Sequence, residues 1–313
     1  MPVVAVAGGT GKLGRAIVDA LVSAGQHDVL VLARGEVDEA KQKEIGARLV
    51  FADYSSTDAL ASLLETNGID TVISTISSAA DIASELNLIK AADKSAVTKR
   101  YIPSIWGIKY TPEIASYFPI AQAKLDILEA VESTSLEYTA VLIGYFLDFF
   151  VLPRVKSYLD PLPIVLDVAN NAAAIPGSGS VPVVFTHTFD VARFTVALLT
   201  LPKWEKESYV IGDRVTWNEF LNLVEEAKGV KFTVANDPIE KLKAGQITEL
   251  PSHKQMYPFF PKAMLQGMFA SFGRMFEEGV FDLRPSHALN DDFPEIKPRK
   301  VRQLVFEAWN QEP

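Results

Sequence analysis

The stretch Val3-Val-Ala-Val-Ala-Gly-Gly-Thr-Gly-Lys-Leu-Gly14 decides the fold. Its opening Val/Ala run reads as a short strand, and Leu13, Ala16, Ile17, Ala20 and Leu21 follow at helical spacing, so the order is strand, tight turn, helix. Gly9-Thr-Gly-Lys-Leu-Gly14 fits G-x-G-x-x-G, and Gly8, Gly11 and Gly14 also recur every third residue. Directly after a strand and opening an amphipathic helix, such glycines let the backbone approach a pyrophosphate at the helix N-terminus. The candidate phosphate-binding set is therefore Gly8, Thr10, Gly11, Lys12, Leu13 and Gly14. A P-loop is excluded: Leu13 stands where Ser or Thr must follow the lysine, and Val6 stands where the first glycine should be. A glycine-rich helix start without a ligand is the plainer alternative.

Working outward, apolar runs at 29–33, 48–52, 71–75, 100–103 and 138–143 alternate with helical stretches, among them 82–95 and 121–133. This alternation predicts an α/β fold, a doubly wound parallel sheet with helices on both faces. Beyond Leu152 the rhythm breaks at Pro153, Pro161, Pro163, Pro176 and Pro182 and in the loop Pro176-Gly-Ser-Gly-Ser180. Later strands are expected at 183–185 and 209–211 around a helix at 190–199. The expected division is a cofactor-binding domain over 1–152, its sheet re-entered by 183–213, and a smaller, mainly helical substrate-binding part over 153–182 and 214–313.

Composition narrows the function. In 313 residues, 48% apolar and 22% charged side chains describe a globular chain with room for about two domains. Acidic residues outnumber basic ones 39 to 30, so neither nucleic acid nor an anionic membrane is an expected partner. The absence of cysteine removes disulfides, thiolate metal sites and cysteine nucleophiles. His27, His187, His253 and His287 show no metal-ligand spacing, so no metal is expected. No basic stretch precedes the first apolar residues, and the most apolar segment, 136–152, is interrupted by Glu137 and Asp148. A soluble, cytoplasmic protein is expected; monomer and homodimer both fit.

The second strand should end beside the adenosine ribose, where a carboxylate would favour NAD. It ends instead in Leu32-Ala-Arg34, and a fixed cation there suits the 2′-phosphate of NADP. Arg34 also reads as a solvated loop arginine. Asp53 and Tyr54 close the third strand and are candidates to line the adenine, although an aspartate in Asp53-Tyr-Ser-Ser56 also suits a helix cap.

The opening glycine turn, Arg34, Val72-Ile-Ser-Thr75 and above all Thr98-Lys-Arg-Tyr-Ile-Pro-Ser-Ile-Trp-Gly107 resemble the isoflavone reductase and NmrA-like group of atypical short-chain dehydrogenases/reductases. Ala123-Lys-Leu-Asp-Ile-Leu-Glu-Ala-Val131, followed by Glu137-Tyr-Thr139, resembles the segment that holds the family's catalytic lysine, and 185–200 and 209–226 resemble its later strand and helix segments. The resemblance implies an NADP-binding Rossmann domain beside a smaller substrate domain, hydride delivery from NADPH to an aromatic or phenolic small molecule, and a catalytic Lys124. It also places Ser74, Thr75, Ser104, Gly144, Tyr145 and Phe146 beside the cofactor. Commoner short-chain dehydrogenases use a Tyr-x-x-x-Lys pair, but Ile120 holds the tyrosine position here and cannot donate a proton. The chain also departs from the family in Ser104-Ile-Trp-Gly107, where Pro-Ser-Glu-Phe-Gly is typical, and in Gly144, where an asparagine is common.

A lysine transfers protons near neutral pH only when burial or a nearby cation lowers its pKa from about 10.4. From spacing alone, Lys124 equally suits a surface lysine on a helix whose Leu125, Leu128 and Val131 face the core. The resemblance also leaves a rival open, an NmrA-like sensor that binds NADP without turnover. On the substrate side, Met264, Met268, Phe272 and Met275 fall on one helical stripe, which reads as core packing or as the wall of an apolar pocket. Trp106, Tyr110 and Phe149 are candidates for the opposite wall, and His187 for a substrate contact or for a hydrogen-bonded structural histidine.

Overall fold

The computed structural model describes residues 1–35, 37–77 and 82–310. Strand and helix alternate from the first residues: β1 (Val3–Ala7), α1 (Lys12–Ala24), β2 (Asp28–Ala33), α2 (Glu39–Ile45), β3 (Arg48–Phe51), α3 (Thr57–Thr66), β4 (Ile69–Ser74), α4 (Ala83–Lys94) and β5 (Arg100–Ile102). Then follow β6 (Trp106–Gly107), α5 (Pro112–Ala115), α6 (Pro119–Glu132), β7 (Glu137–Tyr138) and β8 (Ala140–Leu142). The six-stranded sheet runs β3-β2-β1-β4-β5-β7, parallel throughout. This is the Rossmann-like arrangement, with the strand order reversing beside β1, where such sheets bind ligands at their carboxyl ends.

Local chemistry explains the elements. Val4 to Ala7 of β1 are all buried, as expected of a strand covered on both faces. Gly25 ends α1 in the left-handed conformation at φ 62°. Asp38 caps α2 by accepting from the Ala40 N–H, and Ser56 caps α3. Asp53, expected beside the adenine or as a cap, accepts from the Ser55 N–H and hydroxyl at 3.0 and 2.6 Å and so ties the turn ahead of α3.

Two compact units divide the chain. The first comprises Met1–Leu142, Thr188–Val210 and His287–Ile296. In it the helix Thr188–Leu198 packs on α1, and Glu207–Tyr209 pairs with β8 beside β6. The second comprises Ile143–His187, Ile211–Ser286 and Lys297–Pro313. These bounds differ from the expected 152 and 183–213: Tyr145–Phe146 and Asp213–Thr216 both pair with Pro182–Thr186, which keeps all three strands in the second unit. As expected, its regular structure is mostly helix, including Trp217–Lys228, Lys262–Glu277 and Val301–Trp309, and a further small sheet joins Leu166–Asp167, Ala172–Pro176 and Thr233–Asp237. Its core is aromatic, with Phe150, Phe185, Trp217, Phe220 and Phe276 almost fully buried.

The stripe reading of the helix Lys262–Glu277 needs a correction. Its buried face is Leu265, Phe269, Ala270, Gly273, Met275 and Phe276, whereas Met268 and Phe272 are half-buried and Met264 is 63% exposed. A window containing methionine and phenylalanine on nearly every turn offers more than one apolar stripe, and packing selects between them.

Candidate active site

The glycine turn sits at the carboxyl end of β1. A Cβ at Gly8, where φ is +76°, would come within 2.7 Å of the Thr75 hydroxyl oxygen, and one at Gly14 would meet the same oxygen at 2.5 Å. Thr75 is held there by its hydroxyl and its N–H, both donating to the Ala7 carbonyl. At Gly11, by contrast, a Cβ would meet one atom, the Gly8 oxygen at 3.7 Å, so the fold itself does not demand glycine there. The exposed space at Gly11 is a cradle that a side chain would fill. No side chain caps α1 at Gly11 and its first turn carries no acid, which leaves the positive end of the helix dipole to an anion. Thr10, Gly11 and Lys12 are exposed around this cradle, while Leu13 and Gly14 are buried beneath it. Arg34 is exposed just past β2, the neighbour of β1. The residues fit a dinucleotide with an additional phosphate. Tyr54 is buried and spends its hydroxyl on the Leu32 carbonyl at 3.1 Å.

Lys124 lies on α6, one turn from Ile120, and donates to the backbone carbonyl of Ser104, just past β5. Burial pulls its pKa down to about 8, against the opposing charge of Glu85. The amine therefore exchanges protons near neutral pH instead of standing as a permanent surface cation. It borders a cavity of about 290 Å³ within the first unit, whose apolar walls include Ile105, Ile108, Leu125, Leu128 and Leu142. Tyr110 lines the same cavity, and burial pushes its phenol up to about 12. Lys109 and Glu207, paired at 2.6 Å, also border it. Leu125 and Leu128, expected to face the core, line the cavity instead, half-buried.

Glu85 was not among the expected site residues, yet it joins the others. Ser74 donates to one of its carboxylate oxygens; the Tyr101 hydroxyl and the Ser104 N–H donate to the other at 3.2 and 3.1 Å. Burial raises the pKa of this 1% exposed carboxyl, opposed by those donors and by Lys124. A signal was available: Glu85 opens an i, i+3, i+4, i+7 pattern with Leu88, Ile89 and Ala92, an acid in a core position of α4.

Ser74, Thr75, Ser104 and Lys124 are thus brought together at the carboxyl ends of β1, β4 and β5. The Ser104 hydroxyl donates to the Ile76 carbonyl at 2.7 Å, and the Trp106 indole to the Ser74 carbonyl at 2.9 Å, which makes Trp106 a brace of the same rim. Gly144, Tyr145, Phe146, Phe149 and His187 belong to the second unit. A Cβ at Gly144 would collide with the Val184 carbonyl, so close strand approach accounts for glycine at this position. Tyr145 is buried among Phe149, Phe272, Phe276 and Phe281, with ring centroids 5.3 to 5.8 Å away. His187 is fully buried with its Nε2 3.5 Å from Asp148, and Arg299 donates to its Nδ1 at 2.6 Å. That is a hydrogen-bonded structural histidine.

The NmrA-like family model matches residues 2–302. The chain belongs to the NmrA-like family. It is 36% identical to "Oxidoreductase BOA1" of Botryotinia fuckeliana (strain B05.10) over 305 residues, covering 96% of this chain and 97% of that one. An isoflavone reductase homolog of Zea mays is 31% identical, covering 79% and 80%. A solved structure titled "AtPrR2 with NADP+ and (+)pinoresinol" superposes with a TM-score of 0.74 at 21% identity, over 97% of this chain and 98% of that one. Among the described residues, no helix is long and apolar enough to cross a membrane, and no group of potential metal ligands comes together.

Proposed function

We propose that this family member is an NADPH-dependent reductase of an aromatic or phenolic small molecule, with Lys124 assisting proton transfer. The observation that carries the proposal is the amine of Lys124, its pKa lowered to about 8 by burial, lining a cavity with largely apolar walls in the unit that also holds the glycine turn and Arg34. Backbone N–H groups at the start of α1 hold the pyrophosphate, and Arg34 takes the 2′-phosphate. NADPH, when bound, supplies a hydride. Lys124 then gives its proton to the oxygen or carbon that gains electrons, while the cavity's apolar walls seat a flat substrate and exclude water. The oxidoreductase and reductase names of the relatives, and NADP+ with an aromatic ligand in the solved neighbour, support this reading. Ile120, in place of a proton-donating tyrosine, is what favours the rival, an NADP sensor without turnover.

The test is NADPH oxidation screened over phenolic and polyketide-like compounds, with Lys124→Met beside the wild type. Turnover should fall by about 10²–10⁴ while NADPH binding is retained. Turnover of the variant at the wild-type rate would sink the role of Lys124, and NADPH binding without oxidation of any compound would favour the sensor.

A further inference from the structure

Glu85 is a buried carboxyl that the function proposed above does not use. On one side it receives Ser74, Tyr101 and the Ser104 N–H; on the other side of the same residue, the Ser104 carbonyl receives the Lys124 amine. The backbone of a single residue therefore lies between the acid and the amine. We propose that Glu85 is the positioning residue of Lys124: acting through Ser104 it sets the direction of the amine, and its carboxylate is the counter-charge that decides how tightly the amine holds its proton. The proposal rests on the reading of Lys124 as the proton-transfer group.

A brace between strand ends does not require a charge. Glutamine has the same shape, and its amide oxygen accepts from Tyr101 and Ser104 equally well. Burying a carboxylate is costly unless donors and an opposite charge compensate it, and both are present here. Among the described residues, the ionisable groups facing Glu85 besides Lys124 are the phenols of Tyr101 and Tyr54, the latter also near Arg34. Around the cavity that Lys124 borders stand Lys109, Tyr110, Glu132, Tyr138, Lys206 and Glu207, of which Lys109 pairs with Glu207 and Glu132 accepts from Tyr138. Among the described residues, the negative charge of Glu85 opposes the drop in the Lys124 pKa that burial causes.

The test reads the amine directly. The full-length protein is pulse-labelled with acetic anhydride from about pH 5 to about pH 10, spanning the lysine range. Acetylation of Lys124 is followed by mass spectrometry, with exposed Lys43 as the internal reference. In Glu85→Gln the Lys124 midpoint should fall, with labelling roughly tenfold faster at a fixed pH below it, the size expected for losing one neighbouring opposite charge. Glu85→Asp should return the midpoint towards wild type. An unchanged midpoint in a folded Glu85→Gln variant overturns the proposal, because a structural brace would alter stability and leave the titration in place. Should the Gln variant not fold, Tyr101→Phe removes one donor that favours the carboxylate; a smaller fall in the midpoint is then expected, and no fall overturns the proposal. Labelling needs no turnover, so the two readings fail separately. A shifted midpoint in a protein that reduces nothing sinks the reductase alone, and Lys124-dependent turnover with an unshifted midpoint sinks the role of Glu85 alone.

Discussion

Each of the two units contains a buried group of charges, and the groups differ in what they face. In the second unit, His187 and Asp148 are both fully buried, Ser157 donates to Asp148, and Arg299 closes the far side of the imidazole. Arginine only donates, so His187 Nδ1 accepts and the ring proton sits on Nε2, towards Asp148. In the first unit, Glu85 is equally buried, but its partner Lys124 is only partly covered and borders a cavity. Buried charge alone therefore does not mark a reactive site. The difference is access, since a proton can be passed to a ligand only by a group that the ligand reaches.

This contrast can be broken in three ways. The largest effect is expected from Asp148→Ala, which leaves the buried Nε2–H of His187 without its facing carboxylate and should cost about 1–3 kcal/mol in urea unfolding, with turnover per folded molecule unchanged. A loss of turnover at unchanged stability would move that cluster from architecture to function. Next comes Arg34→Asp, at the exposed rim of the first unit. Losing a charge-assisted contact to the 2′-phosphate should weaken NADPH roughly tenfold to a hundredfold in titrations, with NADH little affected and the melting temperature unchanged. Equal weakening of both cofactors would contradict that role. The smallest effect concerns pH. The folded-state pKa of Lys124 is about 8, so an amine that donates its proton is competent below that value and loses competence above it. The value of kcat/KM should therefore fall about tenfold per pH unit on the alkaline side, with a midpoint near 8 that disappears in Lys124→Met. A limb falling towards acid at that midpoint would make Lys124 an acceptor instead.

Much of the first unit was legible because its signals are local. A glycine turn between an apolar run and a helical stripe, repeated strand and helix signals, and Arg34 after the second strand are all readable within short windows. Recognising Lys124 needed the family resemblance, since its spacing alone also described a surface lysine. The second unit was harder. Its strands are short and pair across long stretches of chain, Tyr145–Phe146 with Pro182–Thr186 for example, and such pairings leave little periodicity to read. Glu85 was overlooked because helix patterning treats a charge as a solvent-facing residue, and its three donors come from β4, β5 and the segment beyond β5.

By itself the sequence determined the class of fold, the place of the glycine turn between strand and helix and the absence of thiols, because backbone conformation at a glycine and the period of a helix are properties of neighbouring residues. Only the tertiary structure decided which charged groups are buried and brought together. Proton affinity depends on burial and on charges far apart in the chain, and no spacing rule brings Glu85 of α4, Ser104 beyond β5 and Lys124 of α6 together.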